Sequence, residues 1–120
     1  METVKASEWQ EIGKCAQGDL YIKVVDALPA DARPVRPVDG QYIVAHSETG
    51  HHHVISAEGC EVYETDDPMT LYVRVIDATE VTLKHLRSFD THKPIEFFKG
   101  IFRFRRARER TPEGWRQIAD

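Results

Sequence analysis

Short runs of β-branched and aromatic residues, each closed by a turn signal, constrain this chain more than any other feature. Leu20-Tyr21-Ile22-Lys23-Val24-Val25, Gln41-Tyr42-Ile43-Val44-Ala45-His46 and Thr70-Leu71-Tyr72-Val73-Arg74-Val75-Ile76 suit a pleated, half-buried surface. His51 to Ser56, Glu61 to Glu64, Val81 to Leu86 and Ile101-Phe102-Arg103-Phe104-Arg105 read as further strands. Asp39-Gly40, Thr49-Gly50, Asp66-Asp67-Pro68 and Lys99-Gly100 supply turns between them. Pro29, Pro34 and Pro37 keep the intervening stretch extended or looped. Short strands at intervals of about 8–12 residues predict a mostly β chain, a small single-domain β-barrel or β-sandwich. Only Ala6 to Ile12 reads as a short N-terminal helix, with Ser7 as its cap and Trp9 and Ile12 as its docking residues. Residues 1–16 are therefore expected to be a helix or a frayed segment, and 17–120 one β domain.

A chain of 120 residues can bury a working core without staples. No window approaches the ~20 consecutive apolar residues that span a bilayer, so no membrane partner is expected. The opening Met1-Glu2-Thr3-Val4-Lys5 has no apolar signal-peptide core. Cys15 and Cys60 stand alone, without CxxC spacing, which fits a reducing compartment. The expectation is a cytoplasmic bacterial protein with free thiols rather than a disulfide.

The chain contains Gly50-His51-His52-His53, three histidines where a turn hands over to a strand. Alternate side chains of a strand share a face, so His51 and His53 point together and His52 points away. Two imidazoles on one face are half of a transition-metal site. Zinc, nickel or iron would suit such ligands. His92, His46, Glu48 or Glu58 could add a third donor. Asp90 and His92 share the same alternate spacing, so an extended Asp90-Thr91-His92 would aim both groups one way. Histidines beside a glycine turn are also commonly just solvated, and His52 reads that way, while His85, between Leu83 and Leu86, reads as packed or surface rather than as a ligand. Spacing alone names no reaction.

Gly50-His51-x-His53, Thr91-His92-Lys93-Pro94-Ile95 and the Arg-rich end after Gly100 are together similar to a group of small uncharacterised bacterial and phage-associated proteins. Gln17-Gly18-Asp19-Leu20 matches the opening of their pattern. The resemblance implies that His51, His53 and His92 belong together and brings no activity with it. His51-x-His53 with Glu58 also looks like a fragment of the first cupin motif. The departures are an Ala45 where a glycine is expected and no second motif, so that likeness is architectural.

Charge is uneven. Residues 1–98 carry 9 Lys/Arg and 17 Asp/Glu, a balance of −8, whereas 99–120 carry 7 and 3, a balance of +4. Arg103, Arg105, Arg106 and Arg108 are candidates for contact with an anion or nucleic acid, since arginine forks match phosphate. Against this, the sequence pI of about 5.8 is low for a nucleic-acid-binding domain. The arginines can instead pair with the chain's own carboxylates. Alternation places Phe102 and Phe104 on the core face and Arg103 and Arg105 on the other. Strands rich in β-branched residues also leave edges that suit a homodimer. Two functions follow as expectations. One is metal binding through His51, His53, His92 and Asp90. The other is a non-enzymatic accessory module that contacts nucleic acid or a protein through the Arg-rich strand.

Overall fold

Alternation along the strands sorts the chain into two antiparallel sheets that share one apolar core. The computed structural model describes residues 3–45, 53–76, 81–85, 93–106, 108–111 and 114–117. After helix α1 (Ala6–Trp9), the strands in chain order are β1 (Lys14–Gln17), β2 (Leu20–Val25), β3 (Arg33–Pro34), β4 (Gln41–Ala45), β5 (His53–Ser56) and β6 (Cys60–Glu64). They continue with β7 (Thr70–Val75), β8 (Val81–His85), β9 (Ile95–Phe97), β10 (Gly100–Arg106), β11 (Arg108–Thr111) and β12 (Gly114–Gln117).

One sheet has six strands in the order β1-β2-β10-β7-β6-β3, and the other has four in the order β4-β5-β8-β9. β11 and β12 form a separate hairpin. The architecture is sandwich-like rather than a closed barrel, which decides between the two all-β expectations.

The core lies between the sheets. Leu20, Ile22, Val62, Val73, Phe102 and Phe104 enter it from the larger sheet, and Tyr42, Val44, Ile55, Leu83, Ile95 and Phe97 from the smaller. Phe97 packs edge-on to Trp9 and Phe102 at centroid distances of 5.3 and 5.0 Å, and stacks on Phe104 at 5.6 Å. Such offset and T-shaped contacts suit the ring quadrupole.

The N-terminal segment is tied to the edge of the smaller sheet. Val4 bridges Ile95 in parallel, and the Trp9 indole N–H donates to the Glu96 carbonyl at 2.8 Å. Trp9 docks as expected, but Ile12 does not, being 71% exposed. Ser7 lies inside the helix rather than capping it. The Lys5 amide precedes the first turn and donates to the Glu8 carboxylate at 3.3 Å. That back-reaching glutamate satisfies the N–H of Lys5, the residue that caps the helix.

Turn chemistry matches the sequence at Asp39-Gly40. Both residues have positive φ, 51° and 74°, and Val38 bridges Gln41 across them. This is the conformation that a type I′ turn demands.

Candidate functional site

The β1–β2 hairpin turns through only two residues, since Gln17 pairs with Leu20 and leaves Gly18-Asp19 between them. Gly18 has φ of 60°, and Asp19 is not among the positive-φ residues, the pattern of a type II′ turn with glycine at its first central position. The turn holds a polar glutamine and a carboxylate at the end of the sandwich. Both are buried.

His53 opens β5 and is 1% exposed. It shares the inward face with Ile55, in keeping with the period of a strand. The Gln17 amide fixes its orientation. Gln17 Nε2 donates to the Leu83 carbonyl at 3.2 Å and to the Lys93 carbonyl at 2.9 Å. Both amide hydrogens are thus committed, and Oε1 is the atom that meets His53 Nδ1 at 2.8 Å. The His53 Nδ1–H therefore donates, and the tautomer follows from the network. Nε2 then faces Asp19 Oδ1 at 3.6 Å.

Arg106 ends β10 opposite Leu20, which brings its guanidinium to 3.8 Å from Asp19 Oδ2. Burial alone would raise the Asp19 carboxyl, but the His53 contact and the Arg106 charge outweigh it and hold the carboxyl below its ordinary value. Neither carboxylate oxygen has a partner within hydrogen-bond distance among the described residues. Buried Gln17, Asp19 and His53, with the largely covered Arg106, form one polar cluster beside the apolar core.

His46, Glu48, His51, His52, Asp90 and His92 lie outside the described residues. Of the expected donors, His53 sits in the cluster and Glu58 is exposed on the turn between β5 and β6, its amide held by Ser56 Oγ at 3.3 Å. Among the described residues, no group of three or more His, Cys, Asp or Glu is arranged to hold a metal ion. His85 lies opposite His53 in the strand register.

The arginines separate by parity. Arg103 and Arg105 stand on the outer face of the six-stranded sheet, Arg106 turns inward to Asp19, and Arg108 begins β11. Cys15 and Cys60 are free. Burial pushes the Cys15 thiol up to about 12. Burial, aided by Glu61, pushes Cys60 up to about 11. Neither is a poised nucleophile at neutral pH.

The sequence marks His53 as a candidate ligand, whereas Gln17 and Asp19 enter there only as the Gln17-Gly18-Asp19-Leu20 opening of the resembled pattern, with no site role. A Gly-x pair between two short β runs is a two-residue hairpin signal, and it would have placed both side chains at a strand end.

Among the described residues no helix is long and apolar enough to cross a membrane. No curated protein and no solved structure matches the chain. Residues 16–107, which include all four members of the buried cluster, match a domain of unknown function, DUF8820. The two-sheet chain with its Gln17–His53–Asp19–Arg106 cluster thus belongs to the DUF8820 family.

Proposed function

We propose that the protein binds a divalent transition-metal ion where His53 and Asp19 meet. The observation that carries this reading is the division of labour on the His53 ring. Nδ1 donates to Gln17, the arrangement by which metal-binding imidazoles are held in one tautomer, and Nε2 faces a buried carboxylate. Zn–N and Zn–O bonds are each about 2.0–2.2 Å, so two donors on one ion lie within about 4 Å of each other. The 3.6 Å between Nε2 and Asp19 Oδ1 falls inside that reach.

Arg106 sits beside the other oxygen and offsets part of the carboxylate's charge. His51, His92 and Asp90 are the proposed remaining donors, with His46 as a substitute. Imidazole and carboxylate together suit zinc, nickel or iron. Such an ion, when bound, would supply Lewis acidity and a tie between the two sheets. Gln17 would orient His53, and the surrounding apolar residues would exclude water.

Metal analysis of protein purified without a histidine tag tests the reading. About one equivalent of a transition metal is expected, lost in Asp19→Asn and in His53→Ala, with a fall in Tm on chelation of the wild type. Less than about a tenth of an equivalent after reconstitution, with a chelator-insensitive Tm, would identify the cluster as a buried ion-pair network instead.

A further inference from the structure

The strand registers assemble a second feature on the opposite side of the larger sheet. Lys14 pairs with Lys23, Lys23 with Arg103, and Arg103 with Tyr72, so one row crosses β1, β2, β10 and β7. The next row holds Ala16, Tyr21, Arg105 and Thr70. Ile22, Phe102 and Phe104, their chain neighbours, point into the core, so both rows lie on the outer face.

The rows border an open groove of about 570 Å³, lined by Lys14, Ala16, Tyr21, Lys23, Arg103 and Arg105 among others. A second hollow of about 160 Å³, lined by Thr70, Tyr72 and the carboxylates Asp31 and Asp67, shares Arg103 and Arg105 with it. The two arginines therefore stand between an aromatic-walled groove and a polar one.

Charge selects the occupant. The whole chain has a net charge of −4, yet this face gathers four cations. Among the described residues no carboxylate lies within ion-pair distance of Lys14, Lys23 or Arg103, and Arg105 meets Asp67 only at 3.7 Å. Tyr21 is 54% exposed at the middle of the cationic rows. A duplex would bring phosphates to the cations but would keep its bases away from that ring. An acidic protein would pair the charges and leave the ring unused. A single strand supplies both phosphates and free base faces.

We propose that the outer face of the six-stranded sheet binds single-stranded nucleic acid, with a base stacked on Tyr21 and phosphates held by Lys14, Lys23, Arg103 and Arg105. The row from β1 to β7 spans three inter-strand steps of about 4.8 Å, or about 14 Å. That suits a short site near the lower end of about 4–16 nucleotides. The site is independent of the proposed metal centre, which lies on the inward side of the same strands.

Fluorescence anisotropy with the full chain tests this, using a labelled single-stranded oligonucleotide of about 12 residues and its duplex. Four phosphate contacts on a single strand give a log–log salt slope of roughly −3, or about 50-fold weaker binding between about 50 and 200 mM salt. The single strand is expected to bind more tightly than the duplex. Tyr21→Ala should weaken it about tenfold, Tyr21→Phe should retain it, and Lys23→Glu should weaken both forms, with Tm unchanged in each variant. Equal affinity for strand and duplex, with no effect of Tyr21→Ala, would overturn the assignment. So would the absence of oligonucleotide binding at low salt, or capture of poly-glutamate in its place.

Discussion

At the scale of single residues, the buried cluster makes a definite statement about acid. The folded Asp19 carboxyl is held below its ordinary 3.8, so the folded state binds that proton more weakly than the unfolded chain. The stabilisation is complete above the unfolded value and is lost as pH falls through the folded one. Wild-type stability should therefore drop with a steeper slope below about pH 4 than that of Asp19→Asn. Urea unfolding at pH 7, 4 and 2.5 measures this. Equal slopes in the two proteins would mean that Asp19 has no ionic role. The substitution should also lower stability at neutral pH, because it removes the charge that faces Arg106 and His53.

At the scale of elements, turn chemistry predicts where a methyl group is costly. Nothing stands within 4 Å of a Cβ built on Gly40, so space is not the obstacle. The cost of Gly40→Ala comes from the positive φ alone, about 1–2 kcal/mol, read as a lowered urea midpoint. A change below a few tenths of a kcal/mol would show that the β3–β4 connection tolerates another turn. Elements differ in how far they could be read in advance. Leu20–Val25, Thr70–Val75 and Gly100–Arg106 were legible, because alternation and β-branched content agree there. β1 was not legible. Lys14-Cys15-Ala16-Gln17 has weak β-propensity and becomes a strand through its pairing with β2. β9 is only three residues long and is stabilised by neighbours on both sides, β8 and Val4. His53 announced itself by type and spacing. Its partners did not, because Gln17 and Asp19 of the β1–β2 turn and Arg106 of β10 lie in two stretches, both distant from His53, that only the fold brings together. Arg106 was grouped with its neighbours by composition, although the parity of the strand already sets it apart from Arg105.

At the scale of the molecule, one aromatic group joins every layer. Phe97 of the smaller sheet touches Trp9 of the N-terminal segment and Phe102 and Phe104 of the larger sheet. Phe97→Ala should therefore destabilise the whole fold, by about 3–5 kcal/mol, and not merely one edge. Differential scanning calorimetry would show a single transition at lower Tm. Two separated transitions would mean that the sheets unfold independently.

β10 carries three duties in seven residues: Phe102 and Phe104 fill the core, Arg103 and Arg105 face outward, and Arg106 meets Asp19. Because these duties are assigned by parity, insertion or loss of one residue there exchanges all of them at once. The strand can accept changes of residue type at its outward positions, but not a change of length. An added or deleted residue is better borne by the connections between strands, where no such parity has to be kept.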